Sequence, residues 1–240
     1  KTSQINPYRF TELYEKITAD GSQAIVITMS SKLSGTCANA QAAAVPFAGK
    51  VFVVDSLNVC IGERILCQYA LRLIADGLPA EEIVARLDEQ KHKIQLLALL
   101  DTLQYLKKGG RVSAITAFAG EMFAIKPVIS ITDGEVKVVG KAIGSKKGNN
   151  LLHTLVTRTG GIDFTMPYAT AYSGLDDTVL KKYINDHRAY WAEQTDPVQS
   201  QWAEQLTTVP IYMIGSTIGT HAGPGGIAVA FFAKDDPAGS

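Results

Sequence analysis

Apolar and polar positions in the first 93 residues follow a repeated order of short apolar strand, polar corner and helix. Two charge-poor runs rich in Val and Ile have the length and composition of buried strands. Around them, apolar positions recur every three or four residues, or Ala predominates, as in helices. The pattern predicts strands over 24–29 and 50–54 and helices over 7–19, 37–44, 59–75 and 79–91. Such an alternation of strands and helices predicts a mostly parallel sheet.

The pattern changes from Ile94 onward. A strand and a short helix end at Gly109-Gly110, and Asp133-Gly134 then separates two alternating runs, which is a strong β-hairpin signal. The remaining periodicity predicts helices over 147–157 and 176–193 and strands over 168–172, 210–214 and 227–232. We therefore predict a two-domain α/β protein. Its N-terminal domain, over 1–93, is mostly parallel α/β, and its C-terminal domain, over 94–240, is α+β with an antiparallel hairpin.

The corner between the first predicted strand and its helix is rich in hydroxyl groups. Ser30, Ser31, Ser34 and Thr36 surround Gly35 in this short segment. Corners of this kind lie at the carboxyl ends of parallel strands, where ligands bind, and the helix N-terminus adds unpaired N–H groups and a partial positive charge. The corner suits a carboxylate or a phosphate. It is also compatible with an ordinary helix cap at Ser34 or Thr36.

A second glycine-rich element lies near the C-terminus, where five glycines fall between positions 215 and 226. This composition predicts a loop whose backbone approaches a ligand. The imidazole of His221, within the same element, can donate a hydrogen bond to an oxyanion. The alternative is that the glycines serve tight turns between two strands and that His221 is structural.

Composition excludes several classes of partner. Lys and Arg together number 23, as do Asp and Glu, so no net charge attracts the chain to nucleic acid or to an anionic membrane. Cys37, Cys60 and Cys67 have neither disulfide nor zinc spacing, and the histidines are not spaced as metal ligands. No apolar run has the length of a membrane span. We expect a cytoplasmic protein that binds no nucleic acid and no metal.

Four motifs occur in a fixed order along the chain: SSKLSGT, DTLQYLKKGGRVS, IKPVISITDGEVKVVGK and IGTHAGPGG. With them the sequence resembles the DegV family of bacterial fatty-acid-binding proteins over nearly its whole length. The resemblance implies a non-catalytic carrier, without a cofactor, that holds a long-chain fatty acid such as palmitate in an apolar tunnel between two domains. Family members begin with further residues that include a first strand. The N-terminal domain here is therefore expected to lack that strand.

The resemblance also implies which residues bind the carboxylate. Thr2 and Ser34 match the principal hydroxyl ligands, and His221 supplies a third contact. Neighbouring positions of the same motifs complete the expected set: Ser31, Gly35, Thr36, Gly219 and Thr220. Hydroxyl and N–H donors at a helix N-terminus stabilise a carboxylate without a buried arginine.

A partner is implied in the same way. Members of the family present the acyl carboxylate to a separate, ATP-dependent fatty acid kinase subunit, and Arg111 matches a family arginine that could help to dock that subunit. The alternative for Arg111 is a surface residue that caps the preceding helix. Ile143 and Ser145 stand where the family pattern has arginines, which bears on the use of a kinase partner but not on fatty acid binding.

Two other functions remain compatible with the residues alone. One is an enzyme that acts on a small phosphorylated substrate, with the Ser34 corner as the phosphate cradle and His221 as general acid or base. The other is a structural or regulatory domain that has lost its ligand. An enclosed apolar cavity that reaches Ser34 favours the fatty acid, whereas a wide polar cleft favours the enzyme.

Overall fold

The computed structural model describes residues 1–111, 125–192 and 209–234. Its first part alternates helices and strands as the sequence pattern predicts. Asn6 begins the first helix by accepting a hydrogen bond from the Tyr8 amide, and Pro7 occupies the first helical position. Single 3-10 turns span Val45–Phe47 and Lys91–Lys93. The main elements are α1 (Pro7–Ile17), β1 (Ala24–Thr28), α2 (Thr36–Ala44), β2 (Val51–Asp55), α3 (Ile61–Ala75) and α4 (Ala80–Gln90).

Strands β1 and β2 pair in parallel, with register running from Ala24 opposite Val51 to Thr28 opposite Asp55. The carboxyl ends of both strands therefore lie at the same edge. Asp55 joins them, because its carboxylate accepts hydrogen bonds from the Ser31 amide at 3.2 Å and the Leu57 amide at 3.0 Å. The hydroxyl-rich corner after β1 and the start of α3 after β2 are neighbours for this reason.

The second part is built on a mixed sheet. Its elements are β3 (Ile94–Leu99), α5 (Gln104–Gly109), β4 (Ile125–Thr132), β5 (Glu135–Ile143), α6 (Ser145–Arg158), β6 (Tyr168–Tyr172), α7 (Thr178–Asp186), α8 (Arg188–Ala192), β7 (Ile211–Met213), α9 (Ser216–Ala222) and β8 (Ile227–Phe232). In the described part of the chain six strands are ordered β5-β4-β3-β8-β6-β7, and only β6 and β7 pair in parallel. The mixed α/β fold class predicted from the sequence is confirmed. Helix α3 packs on strands of both sheets.

The Asp133-Gly134 turn joins β4 and β5 as predicted, and it also contacts the first part of the chain. Both turn residues have positive φ, at 52° and 80°, which matches a hairpin turn. The buried Ser30 hydroxyl donates a hydrogen bond to the Gly134 carbonyl at 2.7 Å. A Cβ at Gly134 would overlap that hydroxyl, so glycine is required there for contact as well as for conformation.

Two predictions about helices were wrong. The segment 216–222, predicted as a loop, is α9; Gly219 costs only about 1 kcal/mol within a helix, and packing of α9 against α5 offsets that cost. The single helix predicted over 176–193 is instead α7 and α8, separated at His187, whose backbone leaves the helical region at φ −115° and ψ 26°. Position 193 lies outside the described residues.

His187 stacks on His153 of α6, with ring centroids 3.9 Å apart and planes inclined by 9°. Burial lowers the pKa of both imidazoles, and the charge of His187 lowers the pKa of His153 further. Asp186 opposes the shift at His187 without reversing it. His153 Nδ1 and His187 Nε2 are buried and have no hydrogen-bond partner among the described residues. The fold therefore favours a neutral pair.

We expect stability to fall as the pH drops below about 6.5, because the unfolded histidines take up protons there while the folded pair resists protonation. The pair's contribution is fully present above that pH and decreases toward the lower folded-state pKa values. The thermal unfolding midpoint of His153→Gln should decrease less between pH 7 and pH 5.5 than that of wild type. His92→Gln, which changes an exposed histidine, should behave as wild type. An equal decrease in His153→Gln and wild type would contradict this account.

Candidate functional site

A cavity of about 410 Å³ lies between the first part of the chain and the mixed sheet. Strand β1 contributes Val26 and Ile27 to one wall, and β4 contributes Ile129 and Ile131 to the other. Most of the remaining lining side chains are also apolar. The volume falls within the range of cavities that hold small-molecule ligands. An apolar ligand would gain free energy here by leaving water.

The N-terminal segment 1–5 runs along the cavity and contacts both parts of the chain. Thr2 Oγ1 and His221 Nε2 of α9 are hydrogen bonded at 2.9 Å. Three residues later, the Ile5 carbonyl accepts a hydrogen bond from the Asn39 side chain of α2 at 2.7 Å. The Ile5 amide donates to Thr36 Oγ1 at 3.4 Å. This segment therefore brings Thr2 to the same cavity as the corner after β1.

Ser34 lies at that corner and is bonded to the first turn of α2. Its Oγ accepts a hydrogen bond from the Thr36 amide at 3.2 Å and lies 2.9 Å from Thr36 Oγ1. Both side chains line the cavity. The N-cap of α2 is Gly35, so neither Ser34 nor Thr36 is the helix cap that the sequence left open as an alternative. The Ser34 hydroxyl instead bonds to the first helical residue and also lines the cavity.

His221 projects from α9 to the cavity and packs against Gly109 at the end of α5. Burial lowers the pKa of His221, and the positive charge of Arg111 lowers it further. The imidazole is therefore neutral at neutral pH. Its Nδ1 atom is buried and has no hydrogen-bond partner in the described part of the chain. A Cβ at Gly109 would overlap Nδ1, so the ring position depends on that glycine.

Arg111 lines the cavity while remaining exposed, which places it at the cavity opening. Its guanidinium donates to the Gly109 carbonyl at 2.6 Å and to the Leu33 carbonyl at 3.5 Å. It thus caps α5, as one sequence interpretation held, and reaches the residue before Ser34. The polar end of the cavity therefore includes a cation. The set of carboxylate ligands implied by the resemblance contains no cation.

The structure brings part of the expected ligand set together. Thr2, Ser34, Thr36 and His221 line the same cavity. The other expected ligands are not among the lining residues: Ser31, Gly35, Gly219 and Thr220.

Each of those four has a different setting. Ser31 is exposed. At Gly35 a Cβ would overlap the Gln4 side chain, so this glycine permits the N-terminal segment to approach. Gly219 lies within α9, and Thr220 is exposed, with its hydroxyl bonded to the Ser216 carbonyl at 2.8 Å in the same helix.

Sequence reasoning missed Glu63, which lines the cavity from the first turn of α3. Burial raises the pKa of this carboxyl to about 7. An acidic residue in the first turn of a helix is common because it interacts favourably with the helix dipole. No sequence signal distinguished Glu63 from that ordinary case.

Two further searches covered the described residues. Within them, no group of three or more His, Cys, Asp or Glu side chains is placed to hold a metal ion. In the same ranges, no helix has both the length and the apolar character needed to cross a bilayer.

The family model and the similar proteins that match this chain name the same family. The family model described as uncharacterised protein, DegV family, matches residues 1–234. A DegV domain-containing protein of Caldanaerobacter subterraneus subsp. tengcongensis is 31% identical over 234 residues, which cover 97% of this chain and 79% of that protein.

Solved structures share the fold. One, described as showing fatty acid binding of a DegV family protein from Thermus thermophilus, has a TM-score of 0.81 at 24% identity and covers 98% of this chain and 79% of that one. A DegV family protein from Eubacterium eligens loaded with heptadecanoic acid has a TM-score of 0.76 at 24% identity, covering 98% and 80%. Other structures with this fold are described with vaccenic acid and with stearic acid.

The contact between Gly109 and the His221 ring can be tested with a matched pair of glycine variants. Ala in place of Gly within a helix ordinarily stabilises by about 0.5–1 kcal/mol. We expect this gain for Gly219→Ala, where an added Cβ meets nothing within 4 Å. We expect Gly109→Ala to lose about 1–3 kcal/mol, because the ring must move. Chemical denaturation measures both changes, and equal stability of the two variants would show that the ring is not held by Gly109.

Proposed function

The chain belongs to the DegV family, and we propose that it binds a long-chain fatty acid in the cavity between its two parts, with the carboxylate at the Ser34 corner. Solved structures that share the fold carry fatty acids. The apolar lining favours an acyl chain over a small phosphorylated substrate. Each methylene that leaves water for such a lining contributes about 0.8 kcal/mol.

The observation that carries the proposal is the position of the Ser34 hydroxyl, which lines the cavity beside the first residue of α2. Ser34 Oγ and Thr36 Oγ1 lie 2.9 Å apart and either hydroxyl can donate to the other; we propose that Thr36 is the donor. Ser34 Oγ then accepts from both the Thr36 hydroxyl and the Thr36 amide, which uses both of its acceptor sites. Its own proton remains to be donated. A carboxylate, which only accepts hydrogen bonds, is the complementary group.

The surroundings of Ser34 add to this preference. The N-terminus of α2 contributes a partial positive charge. Arg111 stands at the opening, and the Thr2 hydroxyl offers one further donor when the Nε2–H of the neutral His221 ring donates to Thr2 Oγ1. We assign Thr2, Ser34, Thr36 and His221 to the carboxylate site.

Lipid extraction from the purified protein tests the proposal. Wild type should release a long-chain fatty acid, identified by mass spectrometry. Ser34→Ala and Thr2→Val should each weaken binding of a re-added fatty acid by about 2 kcal/mol, the contribution of one hydrogen bond to a charged group. Ser216→Ala, which removes an exposed hydroxyl outside the cavity, serves as the matched control. A delipidated wild type that binds no fatty acid would refute the function.

We also propose that the bound carboxylate is presented to a separate fatty acid kinase subunit, and that Arg111 contributes to that docking. Its position at the cavity opening supports this role. Ile143, at the end of β5, and Ser145, at the start of α6, replace arginines of the family pattern. Fewer cations are then available for docking, and more of the interaction depends on Arg111.

Reconstitution with ATP and a bacterial fatty acid kinase catalytic subunit tests this second proposal. The fatty acid loaded on wild type should be converted to acyl phosphate. Arg111→Gln should slow that conversion by about tenfold, the equivalent of one charged contact near 1.4 kcal/mol, while retaining most of the fatty acid affinity. Lys50→Gln, an exposed cation outside the cavity lining, is the control. Equal conversion rates for wild type and Arg111→Gln would show that Arg111 does not contribute to docking of the kinase subunit.

A further inference from the structure

Glu63 is the one carboxylate among the described residues that line the cavity. It has no hydrogen bond and no ion pair within the described ranges. The adjacent cation is engaged elsewhere, because the Arg64 guanidinium lies 3.8 Å from the centroid of the Tyr212 ring. The other titratable groups on the cavity wall are Cys60, Arg111 and His221. None of them forms an ion pair with Glu63.

The electrostatic setting shows that Glu63 is poorly solvated. Burial raises its pKa to about 7 even though it lies in the first turn of α3, where the helix dipole favours a negative charge. Burial also raises the pKa of the Cys60 and Cys67 thiols, and the charge of Glu63 adds to both shifts. A carboxyl in this position is costly unless it gains a hydrogen-bond partner.

An unsubstituted acyl chain would increase that cost. It would displace water from the cavity and offer Glu63 only methylene groups. A hydroxyl group on the chain can both donate and accept, so it can bond to the carboxyl in either protonation state. A second carboxylate on the ligand would instead repel the ionised form.

We propose that Glu63 forms a second polar subsite and that the preferred ligand is a long-chain fatty acid with a hydroxyl group along its chain. This inference rests on the proposed fatty acid function and names the ligand class for the same cavity. In this arrangement the carboxylate end is bound at the Ser34 corner and the hydroxyl is bound by Glu63. The preference for a hydroxylated chain would arise because Glu63 gains a hydrogen-bond partner from the hydroxyl and has none when the acyl chain is unsubstituted.

Binding of stearic acid and of positional isomers of hydroxystearic acid to the delipidated full chain tests the subsite. Wild type should bind at least one hydroxy isomer about tenfold more tightly than stearic acid, since one buried hydrogen bond is near 1.4 kcal/mol. Glu63→Leu should lose this preference and bind stearic acid more tightly than wild type. Glu63→Gln, whose amide also donates and accepts, should keep the preference. Thermal unfolding confirms that each variant is folded.

The pH provides an independent measurement. Stearic acid binding to wild type should weaken as the pH rises through about 7, because the unpaired carboxyl must be protonated before the chain covers it. Binding to Glu63→Leu should be flat over the same range.

The outcomes separate the two levels of inference. If neither stearic acid nor any hydroxy isomer binds, the fatty acid function fails and the subsite fails with it. If stearic acid binds wild type as tightly as every isomer, or if the preference survives in Glu63→Leu, the subsite is refuted and the fatty acid function stands.

Discussion

A buried hydrogen bond from the Ser30 hydroxyl to the Gly134 carbonyl, at 2.7 Å, fixes the β4–β5 hairpin against the first part of the chain. The cavity depends on this contact, because the same hairpin supplies Ile129, Ile131 and Val136 to the cavity wall. Glycine at position 134 permits the approach, since any side chain would overlap Ser30. A turn that closes a hairpin locally thus sets the distance between two sheets.

Much of the fold could be predicted from local sequence, because strand and helix periodicities and the Asp133-Gly134 turn are local signals. The failures are long-range. The glycine content around His221 suggested a loop, but packing on α5 holds α9 together. Gly109 supports His221 across 112 residues of sequence, a contact that no local pattern encodes. Glu63 was missed because an acidic residue in the first turn of a helix gives the same sequence signal whether its side chain faces water or a cavity.

The candidate carboxylate site was predictable in part for a related reason. Ser34 and Thr36 lie within one motif, so their proximity follows from local geometry. Thr2 and His221 are 219 positions apart and meet only because the N-terminal segment runs between the two parts of the chain. The family resemblance named both residues, whereas the geometry shows how they are held. Arg111, which the resemblance assigned to partner docking, lies at the cavity opening, where it also lowers the pKa of His221.

The polar atoms on the cavity wall fall into two kinds. Ser34, Thr36 and Thr2 already have protein partners, so the fold has compensated most of the cost of burying them. Glu63 has no hydrogen bond or ion pair among the described residues and lines the cavity. His221 Nδ1 also lacks a partner there, but it packs against Gly109. A ligand group that bonds to an unpartnered atom gains more free energy than one that competes with an existing hydrogen bond, because the desolvation cost is already incurred in the free protein. Discrimination between acyl chains should therefore come from Glu63, and affinity for the carboxylate from the prearranged hydroxyl groups.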